Sequence, residues 1–305
     1  MCIRDRVTAD GEIKEVVGNW SIWIDGEFGE FTLGKTKPRS RILDEKSFHI
    51  GIDKRLSDDG DLFGFALGLG EDTPVDRNHD SHMESRNYSL STYGKFDDRS
   101  YALQYIFGVS KLEFNSDRLD GEELLTGERE ANQVYGSLAL ISSLSSESSN
   151  WQLSPYIRID GSYTEFDEFS EIGGEAALTF DELTLSNAKA SIGTDISYLF
   201  SGSKLNVMPY ITFEYGLDYS ETSSQNMYYT VEGPTRNYIL DLDDGVKTHN
   251  WQVDIGLMLE TFSAMNTTIG CRFQGRSSYF SDYSSISNND ISVSYTHLRA
   301  HETSL

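Results

Sequence analysis

What this chain has little of narrows the reading first. Cysteine is almost absent: Cys2 and Cys271 are the whole complement, too few for a disulfide framework. Proline is scarce, with five residues, while Tyr and Phe reach 17 and 16, a balance that suits strands. No run of about 18 apolar residues occurs, so no transmembrane helix is expected. That absence leaves a membrane barrel open, because barrel strands alternate and their mean hydropathy stays low. Basic residues are outnumbered, 25 against 49 acids, giving a net charge of −24. Such acidity argues against nucleic acid, which is bound by neutralising phosphates. It suits either a soluble acidic protein or an anionic cell-surface one.

The two ends stand apart from the rest. Codons can be chosen for Val-Ser-Tyr-Thr-His at 293–297 whose reverse complement encodes Met-Cys-Ile-Arg-Asp, the first five residues. The pair resembles inverted transposon ends used in preparing sequencing libraries, read through in frame. Residues 1–6 and 292–305 are therefore expected to be artefactual ends and are set aside. Cys271 is then the one remaining cysteine.

What is present is alternation with period two. WSIWIDGEF sets Trp20, Ile22, Ile24 and Phe28 on one face, and FHIGIDKRL sets Phe48, Ile50, Ile52 and Leu56 together. The same pattern recurs in LFGFALGLG, NYSLSTYGKF, YALQYIFGVS, QVYGSLAL, WQLSPYIRIDGSY, AKASIGTDISYLF, LNVMPYITFEYGLDYS, WQVDIGLMLE and MNTTIGCRFQGRSSYF. A twelfth strand is expected from near Tyr283. LNVMPYITFEYGLDYS keeps eight apolar positions on one face, which implies about 50 Å of strand. Soluble strands average about 5–6 residues, whereas a tilted barrel strand needs about 9–11 to cross a bilayer. Connections alternate between short turns (SDDGD, DDRS, SGSK) and long polar stretches, among them 165–183 and 221–249. That asymmetry belongs to an up-and-down membrane barrel. A Greek-key sandwich mixes its loop lengths. The fold expected is all-β: a twelve-stranded antiparallel up-and-down transmembrane β-barrel.

The two faces of these strands differ in chemistry. Phe63, Phe65, Tyr105, Phe107, Ile157, Ile211, Phe213, Tyr215, Val253 and Leu257 are expected to face lipid, with aromatics near strand ends as interfacial girdles. The opposite face carries Gly51, Gly64, Gly68, Gly70, Gly108, Gly193, Gly216 and Gly256 together with Arg158, Asp195, Glu214, Asp254, Arg272 and Arg276. These charges would be costly against lipid and are solvated in a wet lumen. The glycines either make that lumen roomy or relieve strand curvature. Ordinary core packing in a large soluble β protein is the competing reading.

Other chemistry is thin. His79 and His82 flank an acid but have no evident third ligand, so no metal or cofactor is assigned. The acidic stretches NSDRLDGEELLTGERE and DLDDG lack EF-hand spacing and read as solvated loops. His249 near Asp243 and Asp244 is the least implausible catalytic pairing, and no catalytic residue is assigned. The glycines of LFGFALGLG precede no helix, so they form no phosphate loop.

The order FHIGIDKRL-turn-GDLFGFALGLG, ANQVYGSLAL, then the paired LSPYIRIDGSYTEF and VMPYITFEYGLDYS resembles the autotransporter β-domain, the translocator of type V secretion. The resemblance spans 20–291. It implies a barrel in the outer membrane of a Gram-negative bacterium that anchors and exports an N-terminal passenger, absent here, and that is not an enzyme. The implied partners are outer-membrane lipid, the passenger segment, and the barrel-assembly machinery with periplasmic chaperones. Residues 7–19 (VTADGEIKEVVGN) stand where the lumen linker of that family would end, with Ile13, Val16 and Val17 at helical spacing. Asn19 matches the family's passenger-cleavage asparagine by position only, and a plain strand-start residue is the simpler reading. In place of the family's C-terminal strand signal, which ends in an aromatic, this chain has the segment set aside above. A free-standing outer-membrane channel or adhesin is the alternative function.

Overall fold

The computed structural model describes residues 20–33, 41–57, 60–74, 81–98, 100–144, 149–202, 205–220, 223–242, 248–261, 265–278 and 286–298. They form strands and connections only. In chain order the strands are β1 (Trp20–Leu33), β2 (Arg41–Arg55), β3 (Leu62–Pro74), β4 (Ser81–Asp98), β5 (Tyr101–Asp120), β6 (Glu123–Ser142), β7 (Trp151–Phe166) and β8 (Phe169–Ser170). They continue with β9 (Leu178–Phe180), β10 (Leu183–Tyr198), β11 (Leu205–Ser220), β12 (Ser223–Tyr229), β13 (Tyr238–Leu242), β14 (Thr248–Thr261), β15 (Met265–Ser278) and β16 (Ile286–Leu298).

The long strands pair with antiparallel neighbours in the ring order β1-β16-β15-β14-β11-β10-β7-β6-β5-β4-β3-β2, a closed barrel. Closure comes from β1 against β16, with Ile24 opposite Tyr295 and Phe28 opposite Ile291. A closed ring leaves no free sheet edge across the band where neighbouring strands overlap, so the backbone there pairs between strands without water. The closing strand takes in 292–298, part of the segment that the end-matching argument sets aside. Residues 7–19, including Asn19, lie outside the described residues.

Burial is inverted relative to a soluble domain. Ile159, Ile157, Leu67, Val134 and Ile192 are exposed, while Asp53, Lys95, Ser110, Thr164, Ser191, Thr212, Glu214 and Asp254 are buried. A soluble core would reverse those lists. An apolar outer surface of this extent requires an apolar solvent around it. One small apolar cluster stands on the inner wall: Trp23, Ala66 and Tyr93, with Leu62 and Ile106 against them.

The strands outrun the apolar alternation on the long-connection side. The stretch 115–130 is not a solvated loop. It is the end of β5 and the start of β6, paired from Asn115↔Glu128 to Asp120↔Glu123. Gly121, at φ 65°, supplies the left-handed turn residue. Sequence pattern missed this hairpin for a physical reason: beyond the bilayer there is no lipid to select apolar residues on one face. On the same side, the connections from β7 to β10 and from β11 to β14 fold into a separate four-stranded sheet, β13-β12-β9-β8.

Candidate functional site

The candidate site is the inner wall and the sheet at its loop-side rim. Of the residues expected on the polar face, Gly51, Gly64, Gly68, Glu214, Gly216 and Asp254 are buried, and Gly70, Gly108, Arg158, Gly193, Asp195 and Gly256 half-buried. The side chains of Arg272 and Arg276 lie outside the described residues. Strand pairing sets the two positions opposite Asp254 and Asn250. On the apolar face Phe65, Phe107, Ile157, Phe213, Tyr215 and Leu257 are exposed, and Phe63, Tyr105, Ile211 and Val253 half-buried.

The inner glycines do not open space. Each of five lies directly opposite an aromatic residue on the next strand: Gly51 and Trp23, Gly64 and Tyr93, Gly108 and Tyr135, Gly193 and Tyr156, Gly256 and Tyr210. The ring occupies the space where a Cβ on the glycine would be. A Cβ on Gly108 would sit 2.4 Å from Tyr135, and one on Gly256 2.3 Å from Tyr210. At these five positions a ring, not open lumen, takes the space that the glycine leaves. The alternation assigns both partners to the same face, but only the strand register puts them opposite each other.

Charges on the inner wall are matched to one another. The side chain of Glu214 on β11 is 1% exposed and accepts from three donors: Arg158 Nη2 at 2.7 Å and Tyr156 Oη at 2.8 Å on β7, and Lys189 Nζ at 2.8 Å on β10. Arg158 Nε also reaches Asp160 Oδ2 at 2.9 Å. A carboxylate this buried is tolerable only with such pairing. Nearer the short-turn end, the Trp23 indole donates to Tyr93, whose hydroxyl donates to Asp53 Oδ2 at 3.0 Å. Buried Lys95 pairs with Asp97 at 2.5 Å. Lys189, Lys95 and the two tyrosines lie on the face that the pattern marks as polar, and their charge or hydroxyl was the available signal.

Two arginines hold the rim sheet to β5 and β6. Arg118 makes a two-pronged contact with Glu171, Nε to Oε1 at 3.2 Å and Nη2 to Oε2 at 2.6 Å, and a third bond to the Ala176 carbonyl at 3.0 Å. Arg129 donates to the carbonyls of Asp167 and Asp181 at 2.8 and 3.0 Å and to Gln225 Oε1 at 3.1 Å. Its guanidinium stands 5.0 Å above Phe166 and 5.3 Å above Phe169. The hydrogen bond to Glu171 raises the Arg118 guanidinium above its ordinary value. Burial lowers that of Arg129, with Asp167 opposing. Both groups stand beyond the apolar band. No spacing in the sequence announces these contacts, which join residues 37 to 96 apart.

Among the described residues no cluster of three metal-ligating side chains occurs. His79, Asp243 and Asp244 lie outside the described residues. His249 is hydrogen-bonded to Tyr215.

The family described as Autotransporter beta-domain matches residues 43–274. The chain belongs to the autotransporter β-domain family. Among solved structures, this autotransporter β-domain is similar in fold to the translocator domain of NalP from Neisseria meningitidis (TM-score 0.71, 14% identity, 92% of this chain and 88% of that one). It is similar also to the β-domain of the Bordetella autotransporter BrkA (0.63, 10%, 92% and 100%). The transport unit of AIDA-I from Escherichia coli follows (0.52, 12%, 92% and 90%). A search of the curated protein sequences gives no match. As an autotransporter β-domain, the chain is an outer-membrane β-barrel of a Gram-negative bacterium, with its apolar outer face as the lipid-contacting surface.

Proposed function

We propose that this barrel, with twelve strands in its native wall, anchors an N-terminal passenger in the outer membrane and exports it to the cell surface without enzymatic activity of its own. The family match over residues 43–274 carries this reading. Geometry supports it. Trp20, the first described residue, pairs with Lys54 beside the β2–β3 turn, so a preceding chain arrives at the short-turn end. The inner wall that such a chain would cross is polar, with Arg158, Asp195, Glu214 and Asp254 on it. Assembly machinery and periplasmic chaperones are the partners that such a route needs.

The test is a reporter domain with a signal peptide fused ahead of residue 7, expressed in a Gram-negative host. Exported reporter is cut by protease added to intact cells, and the barrel migrates heat-modifiably on gels. A folded barrel whose reporter stays in the periplasm would overturn the proposal. The arginine-held rim sheet favours a second reading, a free-standing adhesin. In that case intact cells would bind a surface with no passenger attached.

A further inference from the structure

The rim sheet stands on the lumen side of the wall. At the loop-side ends of β5 and β6, the even positions of β5 and the odd positions of β6 continue the inner face, in step with buried Ser110 and Ala131. Arg118, Leu125, Gly127 and Arg129 fall on that face, and the sheet covers it. Leu125 is fully buried against the turn at Gly174, and Phe169 occupies the space over Gly127. The outward residues of the same hairpin, Leu119 and Leu124, are about half exposed. Cover lies on one side of the hairpin only, the side toward the barrel axis.

The sheet also cuts across an arc of the wall. Ring order places β7 and β10 between β6 and β11. Arg129 on β6 nevertheless bonds Gln225 on β12, the strand that follows β11. The sheet therefore spans the arc from β6 to β11 as a chord on its inner side, and it narrows the exit there. Its attachment is one-sided. The segment 171–177 crosses the inner face of β6 to reach Arg118 on β5, and Gly173, at φ 121°, makes the close pass over the Leu124 carbonyl. At the far edge β13 pairs with β12 alone among the described residues, and Tyr238, Ile239 and Leu240 are exposed. An element tied by polar contacts along one margin and free along the other is a candidate for local opening.

We propose that the rim sheet is a flap that gates the loop-side exit of the lumen, with Arg118 and Glu171 as its latch. Latched, it narrows the exit along the arc from β6 to β11. Released, it turns away from the β5–β6 hairpin about its connections to β7 and β10, and the exit widens. Charge-assisted bonds suit a latch: they fix one closed geometry, and water replaces them on both partners when the flap opens. The gate belongs to the barrel itself, so it is read without a passenger and stands apart from the export reading.

The test is ion conductance through the full chain, folded in detergent and inserted into planar lipid bilayers. The unmodified barrel should dwell at a low level with brief rises to a higher one. Arg118→Ala should lengthen the share of time at the higher level about tenfold or more, the effect of losing hydrogen bonds to a charged partner. Lys111→Ala breaks an outward ion pair with Glu130 on the same hairpin and should leave that share unchanged. A second variant keeps every latch residue and decides the matter if Arg118→Ala fails to fold. Thr126→Cys/Ile172→Cys, made together with Cys2→Ser/Cys271→Ser, links a directly opposed pair that exchanges both backbone hydrogen bonds, a separation that suits a disulfide. Oxidised, it should abolish the higher level, and reduction should restore it. Identical records from the oxidised and reduced forms would overturn the proposal. So would an unchanged share in a folded Arg118→Ala barrel, or an equal rise in Lys111→Ala.

Discussion

Gly193→Ala is a one-carbon perturbation with a large expected effect. The added Cβ would lie 2.4 Å from Tyr156 Cζ and 2.7 Å from the Phe213 carbonyl oxygen. The ring cannot simply rotate away, because its hydroxyl is held 2.8 Å from Glu214, and the carbonyl belongs to the β10–β11 ladder. Overpacking of this kind costs about 1–3 kcal/mol. Releasing Tyr156 from an ionised acceptor adds about 1.5–3 kcal/mol. The stiffer unfolded chain returns about 0.4–1 kcal/mol. The net loss is about 2–5 kcal/mol, read as the shift in urea midpoint for the barrel in detergent, followed by tryptophan fluorescence and gel mobility. Gly161→Ala is the control, since its Cβ would meet only the Asn187 carbonyl at 3.8 Å, and a change within about 0.5 kcal/mol is expected. In a Tyr156→Ala background the cost of Gly193→Ala should fall by about half, because the ring is gone and only the carbonyl contact remains. Wild-type stability in Gly193→Ala, or an identical cost in both backgrounds, would refute the reasoning.

Two further outcomes separate the bilayer from the rim. Ile157 and Ile239 are both exposed, at 57% and 66%. Ile157→Arg should destabilise the barrel in lipid vesicles by about 2–4 kcal/mol, while Ile239→Arg on the rim sheet should change it by less than about 0.5 kcal/mol; equal effects in vesicles would place both in water. Arg129→Ala removes three contacts that tie 167–181 to the barrel and a fourth to Gln225, so added protease should cut within 167–182 while the β-rich circular dichroism and heat-modifiable band persist.

The wall was readable from the sequence wherever lipid imposed a rule. In LFGFALGLG and LNVMPYITFEYGLDYS the bilayer admits only apolar residues on one face, so alternation reports the fold directly. Past the bilayer that rule lapses. The paired ends of β5 and β6 carry Asn115, Asp117 and Leu119 on the face that bears Phe107 lower down, and the hairpin reads as a loop. The interior was legible as polar but not as arranged. Glu214, Arg158 and Lys189 come from three strands, and only the pairing of β7, β10 and β11 brings them together. The rim sheet was less legible still, since Arg118 and Arg129 act across distances in sequence that no periodicity spans.

The ring-over-glycine pairs also bear on how the wall assembles. Sliding one strand by a single residue turns its apolar side inward and is rejected at once. Sliding it by two preserves both faces, so hydrophobicity cannot detect the error. The pegs detect it. A two-residue slip sets Tyr156 against Ser191 or Asp195, Tyr135 against Ile106 or Ser110, and Tyr210 against Asp254 or Met258, each with a side chain where the ring must lie. The barrel thus carries its own check on alignment, repeated around the circumference, at just those errors that the membrane would let through.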